Sequence, residues 1–268
     1  MTVRLSVTAE PDIRESGEVS AVIASLSSAL WWREGDADLV AVSGGVGWTE
    51  RVEAHITAGA RGILVVEPVA VTAEQLARVR ARCAVPVVIE WPYVVDPALA
   101  MVVPDPLVVV ASGDLIECRM VVPVHTQLER TLVGHLAFAR SALGSAFATA
   151  RALEWSEHGY TVLARIADGR RCLLTAAATG TQPPHAAVRF VADCGEIELT
   201  VPEAHLGRAA RLSVETAKGI QLVPIMYERA HRAPWRRLHA LVARGAKSSD
   251  LGDFGGESSL AWGITGTA

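Results

Sequence analysis

Three short apolar runs at regular spacing constrain this chain more than any other feature. Asp38-Leu39-Val40-Ala41-Val42, Gly62-Ile63-Leu64-Val65-Val66 and Val85-Pro86-Val87-Val88-Ile89-Glu90 are continuous rather than alternating, the pattern of strands buried on both faces. Helical stretches separate them. One runs from the capping residue Thr49 to about Ala58, with Gly59 at its end. The other runs from Ala73 to about Arg82 behind the cap Thr72, with Leu76 and Val79 on one face. Strand, helix and strand at this spacing require a parallel sheet with right-handed crossovers. Val3 to Ala9 adds a strand that ends in the turn Glu10-Pro11-Asp12. Helices are expected around Glu15 to Ala24 and Leu26 to Arg33, the second carrying Trp31-Trp32 over the sheet edge.

The grammar changes after Asp96-Pro97, and the boundary between two domains is expected near Pro92 to Pro97. Leu128 to Leu143 reads as one long helix ended by Gly144. Strands are expected at Leu107 to Ala111, Ile116 to Pro123, Tyr160 to Ile166, Arg171 to Ala178, Ala187 to Ala192, Glu196 to Val201 and Gln221 to Ile225. Helices at Met226 to Arg244 and Ser258 to Gly266 close the chain. Strands in series with helices at the margins imply an α+β domain with an open, largely antiparallel sheet. The fold class is thus α/β, with residues 1–95 in the parallel-sheet domain and 96–268 in the α+β domain.

Composition excludes several functions. A net charge of -4 and a pI near 6.1 give no electrostatic footprint for nucleic acid. The arginines between Arg229 and Arg237 read as a solvated helix face. No apolar run reaches the roughly 18 residues that span a membrane, and the opening segment runs directly into Glu10, Asp12 and Arg14, unlike a signal peptide. Cys83, Cys118, Cys172 and Cys194 lie far apart without CxxC spacing, as expected of free thiols in the cytoplasm. The histidines show neither HxxxH nor HExxH spacing, so no metal site is expected.

The passage from Asp36 to Pro68, followed by Thr72-Ala73-Glu74, resembles the Gfo/Idh/MocA oxidoreductases, relatives of glucose–fructose oxidoreductase and inositol dehydrogenase. Leu132-Val133-Gly134-His135-Leu136 with Leu143-Gly144 is similar to that family's histidine-bearing helix. Phe190-Val191-Ala192-Asp193-Cys194-Gly195-Glu196-Ile197 is similar to its strand–turn–strand. These stretches occur in the family's order along nearly the whole chain. The resemblance implies a Rossmann-type first domain, NAD(P) as cofactor and a sugar or polyol as substrate. It also implies dimer contacts through the open face of the second sheet, with Ala187 to Ala192 and Glu196 to Val201 in the contact and their apolar side chains toward the partner.

The departures carry as much information as the matches. No GxGxxG occurs in the chain, and that turn is what lets a helix N-terminus approach the pyrophosphate. In one register Glu10 stands for the family's acidic residue after its second strand, and the chain begins at that strand as an incomplete, shortened domain. In the other, Val3 to Ala9 is the first strand, and Glu10-Pro11-Asp12 replaces the glycines. Glu67 stands where the family's Glu-Lys-Pro has its lysine, an inversion of charge at a group that positions substrate and moves a proton. Thr131 replaces the aspartate four residues before His135, and no arginine follows Glu90-Trp91-Pro92-Tyr93.

The candidate catalytic residues are therefore His135 and Glu67. Against them stand a histidine lining a residual cleft and a turn carboxylate facing solvent. The candidate cofactor contacts are Glu10 and the turn Ser43, Gly44, Gly45, Gly47 and Trp48, whose backbone N–H groups could cup an anion. Trp48 either stacks on a ring or plugs the space of a missing strand. The sequence favours a non-catalytic structural, regulatory or substrate-presenting subunit with no cofactor of its own. Such a subunit would form a homo-oligomer or a hetero-oligomer with an active homologue. The alternatives are an active NAD(P)-dependent oxidoreductase on a sugar, polyol or sugar-like intermediate, and a protein that binds a small sugar-like ligand without redox chemistry.

Overall fold

The computed structural model describes residues 3–15, 18–94, 99, 115–203, 207–223 and 232–266. The chain divides into two compact units, Met1–Trp91 with Arg229–Gly255, and Pro92–Glu228 with Gly256–Thr267. Residues 229–255, assigned from the sequence to the second domain, thus belong to the first unit.

In the first unit, β1 (Leu5–Ala9), β2 (Leu30–Trp32), β3 (Leu39–Ser43), β4 (Gly62–Val66) and β5 (Val87–Glu90) form one parallel sheet in the order β2-β1-β3-β4-β5. The continuous apolar runs are buried almost throughout, as strands covered on both faces must be. Leu5 and Val7 of β1 pack with Leu39, Ala41, Leu64 and Val88 against Val22, Ile23, Trp235 and Leu238. The last two belong to α6 (Arg232–Arg244). Pro11 starts a short helix, α1 (Pro11–Glu15), ahead of α2 (Glu18–Ser25), where one helix was expected. A fold correction concerns Trp31-Trp32, expected on a helix. They lie in β2, which pairs with β1 through Leu5↔Leu30 and Val7↔Trp32. Aromatic side chains suit a strand edge, so the tryptophans are the sheet edge rather than its cover. Thr49 does not cap α3 (Trp48–Thr57). Gly47, at φ 76, takes the cap position, and the Thr49 hydroxyl donates to Glu50 Oε2 instead. Thr72 caps α4 (Ala73–Arg82) as expected, in a capping box with Gln75.

In the second unit, eight strands form one sheet in the order β13-β12-β11-β10-β6-β9-β8-β7. They are β6 (Leu115–Val122), β7 (Phe147–Ser156), β8 (Gly159–Ile166), β9 (Arg171–Ala178), β10 (His185–Ala192), β11 (Gly195–Pro202), β12 (Arg211–Thr216) and β13 (Gly219–Val223). Neighbours are antiparallel except β6 and β9. The long helix α5 (Leu128–Leu143) lies against β6 and β10 and ends at Gly144, φ 63. Two strands were not foreseen. β7 is exposed along nearly its whole length and broken by two register shifts, so it shows no period. β12 is a short hairpin partner of β13. The expected strand at 107–111 and the expected helix start at 226–231 lie outside the described residues. Helix α7 (Asp250–Thr265) begins eight residues before the expected Ser258. No described helix is long and apolar enough to cross a membrane.

The alternation in β10 and β11 points the opposite way from the expected dimer face. Ile197, Leu199 and Val201 are buried with Val188 and Phe190, while Glu196, Glu198 and Arg189 take the open side. Helix α5 uses the apolar set as its seat, so the charged set is left for solvent. There Arg189 grips Glu196 with two hydrogen bonds, 2.7 and 2.6 Å, and reaches Glu117 at 3.4 Å. That grip holds the Glu196 carboxyl below its ordinary range.

Asp250 ties the returning segment to the first sheet. Its carboxylate accepts the Ile89 N–H at 2.9 Å, both Arg237 Nη groups at 2.8 and 2.5 Å, and the Ser248 hydroxyl. Replacing it by alanine leaves a buried N–H without its acceptor. Asp250→Ala is expected to lower unfolding stability by about 3 kcal/mol, measured by urea denaturation. A loss under about 1 kcal/mol would show that Asp250 is not the tie.

Candidate functional site

Ligands of doubly wound sheets bind at the carboxyl ends of the strands, where the strand order reverses. In this sheet the reversal lies between β1 and β3: from β1 the chain goes outward to β2, and from β3 it goes the other way to β4 and β5. Thr8 pairs directly with Val40 and Ala9 with Ala41, so no strand stands between them. Removing either the first or the third strand from a six-stranded dinucleotide-binding sheet leaves this same order. In both cases Glu10 and the Ser43 to Trp48 turn face each other across the reversal point.

Glu10 is already engaged there. Its Oε2 accepts the Ser43 N–H at 2.8 Å and Arg51 Nε at 3.2 Å, and Oε1 lies 3.6 Å from His55 Nε2. Arg51 also donates to the carbonyls of Val46, Ser43 and Gly45. The guanidinium thus gathers the turn's oxygens inward and joins them to the end of β1. Of the turn's N–H groups, Ser43 serves Glu10, Gly44 serves the Val66 carbonyl at 2.8 Å, and Trp48 serves Gly45. An anion cradle needs such groups free, and here these three close the structure on itself.

Gly44 is required by a close approach. A Cβ there would stand 2.4 Å from the backbone of Glu67 and Pro68. Val69 N–H donates to the Gly44 carbonyl at 2.7 Å, sealing the two turns together. Gly45 has room for a side chain, and Gly47 supplies the left-handed cap of α3. Trp48 is fully buried, its indole N–H donating to the Val69 carbonyl at 3.1 Å and its ring edge-on to Phe254 at 5.5 Å. Such a ring has no face to offer a ligand.

Glu67 is half-buried at the end of β4 with φ 48, a conformation that non-glycine residues seldom adopt. Its N–H donates to the Glu90 carbonyl at 2.9 Å. His135 belongs to the second unit. It is fully buried on α5, with Nδ1 3.1 Å from the Tyr160 hydroxyl and Trp155 stacked on the far ring at 5.0 Å. Burial pushes its pKa down to about 3, against a weaker opposing pull from the Cys118 backbone. Fully buried, it stays neutral at physiological pH.

The structure therefore brings Glu10, Ser43, Gly44, Gly45 and Gly47 together with Glu67 at the mouth of one sheet. Trp48 lies in the core beneath them, and His135 sits in the other unit. Sequence reasoning missed Arg51, His55 and Arg14. Arg51 and His55 follow the glycine turn at helical spacing, a signal that reads equally well as a solvated face. Beside Glu10 lies an open cavity of about 370 Å³ whose lining includes Thr8, Arg14, Asp36, Val40 and His55. Among the described residues no group of three or more His, Cys, Asp or Glu could hold a metal ion.

At the level of sequence no family model and no curated relative matches the chain. Solved structures do. UDP-N-acetylglucosamine 3-dehydrogenase GnnA from Acidithiobacillus ferrooxidans is 11% identical, with a TM-score of 0.77 over 98% of this chain and 97% of that one. The 3-ketoreductase KijD10 from Actinomadura kijaniata, in complex with NADP, is 15% identical, with a TM-score of 0.70 over 97% and 88%. GenD2 from gentamicin A biosynthesis, in complex with NAD, is 12% identical, with a TM-score of 0.69 over 98% and 94%. The chain has the two-domain fold of the Gfo/Idh/MocA-type oxidoreductases.

Proposed function

We propose that this protein serves sugar oxidoreductase chemistry as a ligand-binding or partner subunit, without turning over a nicotinamide cofactor of its own. One observation carries the reading: the Glu10 carboxylate sits at the reversal point of the sheet, holding the Ser43 N–H and Arg51 Nε. A pyrophosphate approaching there meets a negative charge and a turn in which the Ser43, Gly44 and Trp48 N–H groups are in use. The sealed His135 and the carboxylate of Glu67, in place of an ammonium group, support the same reading. Its ligand is a small sugar-like molecule, and its partner is a second copy or an active homologue. The free thiols Cys83, Cys118, Cys172 and Cys194 suit the cytoplasm.

A second reading, an active NAD(P)-dependent oxidoreductase on a sugar or sugar-like intermediate, is favoured by the similar structures. They include a UDP-N-acetylglucosamine 3-dehydrogenase and two proteins holding NADP or NAD. Calorimetric titration with NAD, NADP and UDP-N-acetylglucosamine separates the two. The subunit reading expects dinucleotide binding at about a millimolar or weaker. Micromolar binding accompanied by cofactor reduction would replace it with the second.

The partner would meet the open face of the eight-stranded sheet. Leu115, Ile220 and Leu222 are exposed there beside the Arg189 ion pairs. Light scattering at micromolar concentration is expected to show a dimer that Arg189→Glu dissociates. A monomer that recovers no homologue from its source would remove the subunit role.

His135 generates a separate expectation. Its imidazole titrates near 6.5 when unfolded and at about 3 when folded. Between these values the unfolded chain binds a proton that the folded chain refuses. Stability is therefore full above pH 6.5 and falls with pH, by about 2 kcal/mol at pH 5. Glutamine can keep the bond to Tyr160 without titrating. His135→Gln is expected to lose about 2 kcal/mol less than the unaltered protein between pH 7 and pH 5 in urea titrations. Equal losses would place the acid sensitivity elsewhere.

A further inference from the structure

We propose that the open face of the eight-stranded sheet carries a binding site for a free basic amino acid. Ala187 of β10 stands at its centre, between Arg119 of β6 and Thr200 of β11. Side chains two residues apart share a face of a strand, so the next row on the same face is Glu117, Arg189 and Glu198. Long charged side chains around a single methyl group leave a hollow. Here it is a cavity of about 430 Å³ with Ala187 and Leu173 in its lining.

The charges around this hollow are not all spent on one another. Arg189 stands directly opposite Glu198 but turns instead to Glu196, at 2.7 and 2.6 Å, and to Glu117 at 3.4 Å. The Glu198 carboxylate is left without a hydrogen-bond or ion-pair partner among the described residues. The same holds for the Arg119 guanidinium and for the hydroxyl of Thr175, its neighbour on β9. The cavity therefore offers an anion site, Arg119 with Thr175, and a cation site, Glu198, that do not satisfy each other. Unlike charges held apart across a small residue suit one molecule that carries both.

The charge balance narrows the ligand further. Three carboxylates, Glu117, Glu196 and Glu198, stand against two guanidinium groups, Arg119 and Arg189, so the lining carries one surplus negative charge. A simple anion gains nothing from that sum, and a neutral sugar leaves both free charges unpaired. A basic amino acid matches it. Its carboxylate takes the fork of Arg119 and the Thr175 hydroxyl, its α-ammonium takes Glu198, and its side-chain charge offsets the surplus.

The site lies wholly within the second unit and owes nothing to Glu10. The partner proposed above would cover the same face, but its test is the oligomeric state, whereas this site is read by ligand titration. L-lysine, L-arginine, L-glutamate and Nα-acetyl-L-lysine are titrated by calorimetry into the full chain. Lysine and arginine are expected to bind about tenfold or more tightly than glutamate or the acetylated lysine. Arg119→Met and Glu198→Gln should each weaken lysine binding about tenfold or more. Ala187→Leu fills the hollow while keeping every charge, and should abolish binding. Arg119 is exposed, so its variant keeps the test open if Ala187→Leu fails to fold. No binding of either basic amino acid at millimolar concentration, equal binding of glutamate or Nα-acetyl-lysine, or an affinity unchanged in the folded variants overturns the proposal.

Discussion

The direct pairing of β1 with β3 is the constraint on which the rest of this site depends. Hydrogen-bonded neighbours in a sheet stand about 4.8 Å apart, so Thr8 beside Val40 leaves no slot for another strand between them. The carboxyl end of β1 is brought against the end of β3, and something must satisfy the backbone N–H groups that meet there. Glu10 does so from one side, and Arg51 collects the carbonyls from the other. The chemistry of the mouth follows from that closure.

Much of this architecture was legible in the sequence. The buried runs of β3, β4 and β5 are continuous and apolar because both faces of a parallel sheet are covered, and that pattern does not depend on distant residues. The same holds for α5, whose apolar stripe and terminal glycine define it locally. What was not legible depends on partners far along the chain. Residues 232–244 read simply as an amphipathic helix, and nothing local says that Trp235 and Leu238 fill a core with Leu5 and Val22. Asp250 lies 161 residues from the Ile89 N–H that it satisfies. β2 has only three residues, too few for a period, so Trp31 and Trp32 could be placed equally well on a helix.

The site was read in the same uneven way. Residue type drew attention to Glu10, Glu67, His135 and the glycine turn, and the structure gathers most of them at one sheet mouth. Type alone does not reveal engagement. Arg51 looked like a surface residue, yet it organises the turn, because its spacing from Gly47 is shared by any exposed helical arginine. His135 drew attention by its type, yet it is fully buried, with the Tyr160 hydroxyl 3.1 Å from Nδ1. Burial, rather than identity, decides its protonation. The alternation in β11 was visible, but which side meets α5 was not, since a period of two fixes the division between faces without choosing the outer one.

Gly44 gives the mouth a mechanical property. With its backbone packed against Glu67 and Pro68, and hydrogen bonds running both ways between the turns, the two loops have no slack and move as one piece. Glu67 lies in that piece, in a left-handed conformation. A displacement of Pro68 therefore presses on the Gly44 backbone, next to the Ser43 N–H. The end of β4 then acts as a lever on the end of β3, and disturbances at the Glu67 turn are felt at the carboxylate of Glu10.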